Sequence, residues 1–257
     1  MSFYKRLFVP RGVACRFYGL VTRNWERKRF YKQATVYQTE GGWFGVKLDH
    51  RNLRTPLRRV FSVPSESLAI AVCHEWKSQT KFIQPSLMHL TALSNTVIDR
   101  SDNLNKTDEL LAYLSTDTIC YRVVEPLDLV ELQEKEWDPV IKWFNERYNC
   151  NIEPTSNLNV LSVTKELKLS ISEFIHSLGL WGTRGFSFAL ESTKSLILTC
   201  ALFDGQFDSQ TISDLSRLEV RHQISKWGSV EWQHEIEAQD LLSRLSASVL
   251  FHDLTKD

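Results

Sequence analysis

The chain has 257 residues, 42% of them hydrophobic, which is enough apolar material for one large domain or two modest ones and too much for bulk disorder. Its 31 basic and 31 acidic residues cancel, but unevenly: residues 1–30 hold eight basic residues against Glu26 alone, a net of +7 that leaves −7 for the remainder.

The basic, acid-poor start carries scattered Phe3, Leu7, Phe8, Phe17 and Leu20 and lacks a continuous apolar core, so residues 1–28 read as an organelle transit peptide rather than a secretory signal. A basic arm for nucleic acid or anionic lipid is the alternative. It is set aside on the reading that nothing basic continues into the folded part. No run approaches the ~18–20 apolar residues needed to cross a bilayer; the longest is 195–203, "SLILTCALF", so a soluble mature protein without membrane insertion is expected. Cys15, Cys73, Cys120, Cys150 and Cys200 are odd in number and form no C-x-x-C, which argues against a disulfide scaffold or a structural zinc site and for small core residues.

Next, "FYKQATVYQTEGGWFGVKLDHRNLRTPLRRVFSVP" alternates as strands do, with Gly41-Gly42 where a hairpin turn belongs and Phe44, Val46 and Leu48 on one face. Three or so antiparallel strands are expected. Pro64 then opens a helix on which Leu68, Val72 and Trp76 recur every four residues, predicting Trp76 as a core residue at the seam of helix and sheet. From Pro85 onward the spacing is helical almost throughout. "LDLVELQEKEW" and "DPVIKWFNERY" read as two helices, the second capped by Asp138-Pro139. "FSFALESTKSLILTCALF", "TISDLSRLEVRHQISKW" and "VEWQHEIEAQDLLSRLSASVLF" each read as one. The expected fold is α+β: a small β-rich domain over 29–103 and a larger, mostly α-helical bundle domain over 104–257.

Two Glu-x-x-His pairs, Glu173/His176 and Glu231/His234, raise the possibility of a di-iron carboxylate centre, whose ligands must all project into a bundle core. The first pair falls opposite the stripe of Leu167, Ile171 and Ile175 and faces water. The second shares a stripe with Val230, Leu241 and Leu245. One half-site is not a site, so no metal or other cofactor is expected. The alternative kept open is a metal-dependent, di-iron type oxidoreductase using Glu231 and His234, with Glu219 and Glu191 as further ligands. The sequence holds no G-x-S-x-G, H-E-x-x-H, glycine-rich phosphate loop or G-x-G-x-x-G.

The carboxyl-terminal aromatics suggest a different use. "EWQHEIE" packs an aromatic, an aliphatic and three carboxylates into two turns, more than a solvated face requires, and Trp is enriched at binding hot spots. Trp232, Glu235, Ile236 and Glu237, with Trp227, Glu231 and Glu219 nearby, are therefore the expected partner-binding residues. Glu219 falls mid-arc between apolar residues, so it is expected either to be buried and bonded to Arg122, Arg184 or His234, or to lie at the mouth of a groove.

The segments "LDHRNLRTP", "FSVPSESLAIAVCHEW", "MHLT", "LSTDTICYRVVEPLDLVELQEKEWDPVIKW" and "WGSVEWQHEIEAQDL" resemble the mitochondrial F(1)-ATPase assembly factor 2 family over residues 28–251. "DTICYR" followed by "EP" and "WDP" is the most specific part. The resemblance implies a non-enzymatic chaperone of the mitochondrial matrix. Its partner would be the free alpha subunit of ATP synthase F(1), held until beta subunits replace the chaperone. It further implies a monomer when free, without nucleic acid as a partner. Glu235 stands where that family is expected to have Asp, which keeps the charge, and residues 151–165 show no likeness.

Overall fold

The computed structural model describes residues 27–100, 107–157 and 161–256. The expected leader, apart from its last two residues, lies outside them. Strands β1 (Ala34–Gln38), β2 (Phe44–Leu48) and β3 (Arg51–Asn52) form an antiparallel sheet in that order, with Val36 opposite Val46. Alternation works as expected on β2, where Val46 and Leu48 are buried, and Gly42 takes a φ of 82° in the turn before it, a conformation that glycine adopts without steric cost. The last two residues of the segment read as leader, Arg27 and Lys28, are tied to the fold, Lys28 bridging to Phe82. Ile83 N–H donates to Arg27 C=O at 2.8 Å and Arg29 N–H to Lys81 C=O at 3.1 Å.

Helix α1 (Glu66–Lys77) starts at Ser65, whose hydroxyl accepts from Leu68 N–H, and it lays Leu68 and Val72 against the sheet. Trp76, at the helix end, is half-buried at the edge of this core, its ring edge-on to Tyr31 at 5.6 Å. The neighbouring Glu75 has a structural task. Its carboxylate accepts from the N–H groups of Leu90 and Thr91, both at 2.8 Å, and from the Thr91 hydroxyl at 2.6 Å, so it caps α2 (His89–Arg100). Burial pushes the Glu75 carboxyl up while those three bonds pull it down. "CHEW" and "MHLT", far apart in sequence, thus meet at one joint.

The helical part comprises α3 (Thr107–Ala112), α4 (Leu127–Tyr148), α5 (Lys165–Ser177), α6 (Gly179–Thr193), α7 (Leu196–Phe203), α8 (Ser209–Ser216), α9 (Leu218–Trp227) and α10 (Gln233–Asp253). Four expectations are corrected here. The two helices expected around Asp138-Pro139 are one, α4, with Pro139 inside it. Proline leaves the carbonyl four residues back without a donor, but Lys135 and Pro139 are both exposed, so the missing bond falls on the solvent side while Gln133, Trp137, Val140 and Phe144 stay buried across the break. The long apolar segment is two helices, parted where Lys194 turns left-handed (φ 59°) and Ser195 caps α7 through Leu198 N–H. Arg217 separates α8 from α9. Finally, α10 starts only at Gln233.

The buried residues form two clusters. One joins the sheet, α1 and α2; the other joins α3 to α9 and includes Leu245 of α10. Helix α10 reaches both, because Phe251 is wholly buried in the first cluster, 5.7 Å from the Trp181 ring. Two glycines of α6 allow its approach: a Cβ at Gly185 would lie 2.8 Å from Ser248 O, and one at Gly182 would lie 2.5 Å from His252 Nδ1.

Motif residues also lock the second cluster. Asp117 of "DTICYR" is fully buried and accepts from Ile197 N–H in the first turn of α7 at 3.0 Å and from Ile119 N–H at 3.3 Å. Burial lifts its carboxyl to about 6, against hydrogen bonds from Ser195 and these backbone groups that lower it. Arg122 of the same motif lies 5.1 Å over the Trp137 ring and pairs with Asp138 at 2.7 Å, so "DTICYR" and "WDP" form one contact. Trp137 in turn donates its indole N–H to Leu215 C=O at 2.9 Å.

Candidate client-binding surface

The residues between α9 and α10 present large apolar side chains to water. Trp227 is 79% exposed, Trp232 73%, Ile236 64% and Val230 57%. Their exposure follows from how the two helices end. Gly228 (φ 82°) closes α9 by donating to Ile224 C=O at 2.8 Å, and residues 228–232 are non-helical. Trp232 sits just before α10 with φ 70°, its carbonyl accepting from Ile236 N–H at 3.1 Å. Positive φ is unfavourable for a bulky side chain, with a cost of ~1–3 kcal/mol that the surroundings must offset. One such restraint is the Arg217 guanidinium, which donates to His234 C=O at 2.9 Å.

Acids rim this surface. Glu231, Glu235 and Glu237 are all exposed; Glu237 accepts from the Gln233 amide at 3.0 Å and lies 3.9 Å from His234 Nδ1. A second apolar edge follows from an ion-pair joint that the sequence reading missed. Asp128, in the first turn of α4, meets Lys226 at 2.5 Å and His222 Nε2 at 3.1 Å, both on α9. The hydrogen bonds from Lys226 and then His222 hold the Asp128 carboxyl down to about 2. This joint ties the start of α4 to the end of α9, and beside it Leu127 is 74% exposed and Val124 69%. The run "VVEPLDL", apolar on both sides of Glu125-Pro126, was the available signal.

Glu219, expected either buried on Arg122, Arg184 or His234 or at the mouth of a groove, is exposed in the first turn of α9 and accepts from the side-chain amide of Gln133 at 2.8 Å. The Gln133 side chain is itself fully buried and also accepts from Val123 N–H at 3.1 Å. The break at Arg217 resets the helical phase, which is why the arc drawn through one continuous helix misplaces this residue.

The four residues of the di-iron alternative do not converge. Glu231 lies in a turn before α10, so Glu231 and His234 are not one helical Glu-x-x-His; Glu191 pairs with Arg184 at 3.4 Å, and Glu219 is with Gln133. Among the described residues no three His, Cys, Asp or Glu side chains gather as a metal site would require. Glu173 and His176 are exposed, as their phase predicted, with His176 Nε2 3.2 Å from the Thr107 hydroxyl.

Aromatic and aliphatic side chains exposed at a strained turn, with carboxylates around them, make residues 227–237 the candidate surface for contact with another protein. The comparisons with known proteins give the same class. A sequence model of the family described as ATP12 chaperone protein matches residues 28–145. The mitochondrial protein atp12 of Schizosaccharomyces pombe is 27% identical over 244 residues, covering 90% of this chain and 84% of that protein. The mitochondrial ATP12 of Saccharomyces cerevisiae is 23% identical over 274 residues, with 87% and 83% covered. The crystal structure of Atp12 from Paracoccus denitrificans superposes with a TM-score of 0.78 at 30% identity, covering 90% of this chain and 99% of that one. The chain belongs to the ATP12 chaperone family. It is an assembly chaperone and not an enzyme, and its two fungal relatives are both named mitochondrial.

Proposed function

We propose that this chaperone acts in the mitochondrial matrix on the free alpha subunit of ATP synthase F(1), as a monomer, and holds it until beta subunits take its place. The observation that carries the reading is the exposed surface of Trp227, Val230, Trp232 and Ile236 with its rim of Glu231, Glu235 and Glu237. A subunit destined for a permanent assembly exposes large apolar interfaces before it assembles. A chaperone must cover such a surface and later release it, which favours aromatic anchors within a polar rim over a closed dry groove. The family membership and the family's assembly role support an ATP synthase subunit as client. Co-expression of the mature protein with alpha or beta subunits tests the choice: soluble alpha subunit recovered with the chaperone, and beta subunit not recovered, is the expected result. Recovery of beta alone, or of neither, would overturn the reading.

A further inference from the structure

The charge of the chain is bipolar. Residues 27–63 hold nine basic residues against Glu40 and Asp49, a net of +7; residues 1–26 add +4, so residues 64–257 carry −11. Basic character therefore continues into the folded part, contrary to the reading on which a basic arm was set aside. It is concentrated where the entering chain lies beside the β2–β3 turn. There Arg27, Lys28, His50 and Arg51 line a cleft of ≈ 660 Å³ with Phe30, Leu48 and Asp49. All four basic side chains belong to exposed residues, and among the described residues none forms an ion pair with a carboxylate. Asp49 does not neutralise the cleft by direct pairing, because its carboxylate accepts from the backbone N–H groups of Lys32 and Gln33 at 2.8 to 3.1 Å. Phe30 is 55% exposed beneath the Arg27 guanidinium, 5.6 Å away, and presents an apolar ring at the mouth.

The cations Arg27, Lys28 and Arg51 around a concave site, with the His50 imidazole beside them and an aromatic ring at the edge, match a phosphate-bearing ligand: the cations offer charge-assisted donors and the ring an apolar contact. We infer that the Arg27/Lys28/His50/Arg51 cleft binds phosphate groups, none of its lining residues being shared with the acidic surface around Trp232. The phosphate could be carried by an anionic phospholipid headgroup or by a free phosphate compound, and the two sources are separable.

The test uses the full chain and three forms: wild type, the double variant Lys28→Glu/Arg51→Glu, and Lys168→Glu/Lys165→Glu on α5 as a control of equal charge change. All four positions are exposed, so folding should persist, which thermal melting checks. One arm measures co-sedimentation with phosphatidylcholine vesicles with and without cardiolipin; the other titrates inorganic pyrophosphate by calorimetry. Basic residues hold phosphate groups by charge, so reversing two is expected to weaken binding by at least ~tenfold in the responding arm. The α5 control should stay within about twofold, because Lys165 and Lys168 do not line the cleft. Binding confined to cardiolipin vesicles assigns the site to lipid; binding of pyrophosphate assigns it to free phosphate. Absence of binding in both arms, insensitivity to the double variant, or an equal loss in the α5 control would each overturn the proposal.

Discussion

Removing the indole of Trp232 gives the most direct test of the client surface. A Trp side chain offers ~200 Å², and with 73% of this residue exposed, a client covering it completely would remove ~150 Å² from water. At ~25 cal/mol per Å² this is at most ~3–4 kcal/mol. Incomplete covering and side-chain ordering reduce it, so Trp232→Ala is expected to cost ~2 kcal/mol of affinity, a loss of ~30-fold in Kd for the alpha subunit. Adding Glu235→Ala should weaken capture further and flatten its salt dependence, because an exposed rim charge acts mainly on encounter. Stability should hardly change: the ring is in water, and alanine inherits the same positive φ. Trp232→Gly, which removes the backbone penalty, should melt no lower than wild type. The assay is calorimetric or optical titration with alpha subunit beside a thermal melt of each variant. Undiminished capture by the double variant, or a loss of capture that merely tracks a fall in melting temperature, would refute the reasoning.

Three further outcomes are expected. Phe251→Ala should cost ~3–5 kcal/mol, because it empties a site of zero exposure where α10 enters the first core; a melting temperature unchanged by calorimetry would show that α10 does not pin the two cores together. Trp76→Arg should destabilise the sheet and α1 by replacing a half-buried ring packed on Tyr31 with a charge, and a soluble variant with wild-type melting would count against its packing role. For Asp117, held at about 6 in the folded chain against ~4 when unfolded, the native state binds more protons between those values, so its contribution to stability falls as pH rises through that window. The fall is at most ~3 kcal/mol. Asp117→Asn removes the titration, and denaturant unfolding from pH 4 to pH 7 should show wild type losing stability relative to the variant; parallel profiles would mean that the capping N–H groups outweigh burial.

What depends on short-range periodicity and on composition was legible in the residues alone. Alternation on β2, the Gly41-Gly42 turn, the Leu68/Val72 stripe and the water-facing Glu173/His176 pair are set by the repeat lengths of strand and helix, which a sequence displays directly. Trp232 and Ile236 are exposed as expected, although Trp232 lies in the turn before α10 and not on the helix. Where helices stop was not legible, because ends are settled by tertiary partners. Pro139 stays within α4 since the buried stripe continues past it on the opposite side, while Arg217 and residues 228–232 interrupt helical spacing that looks unbroken on paper. Those breaks moved Glu219 onto Gln133 and separated Glu231 from its supposed helical partner His234. The joints made by Glu75 on α2, Asp117 on α7 and Asp128 on α9 also belong to the tertiary structure alone. Each places a carboxylate against donors 15 to 98 residues away in the chain, a proximity that only the packed fold creates.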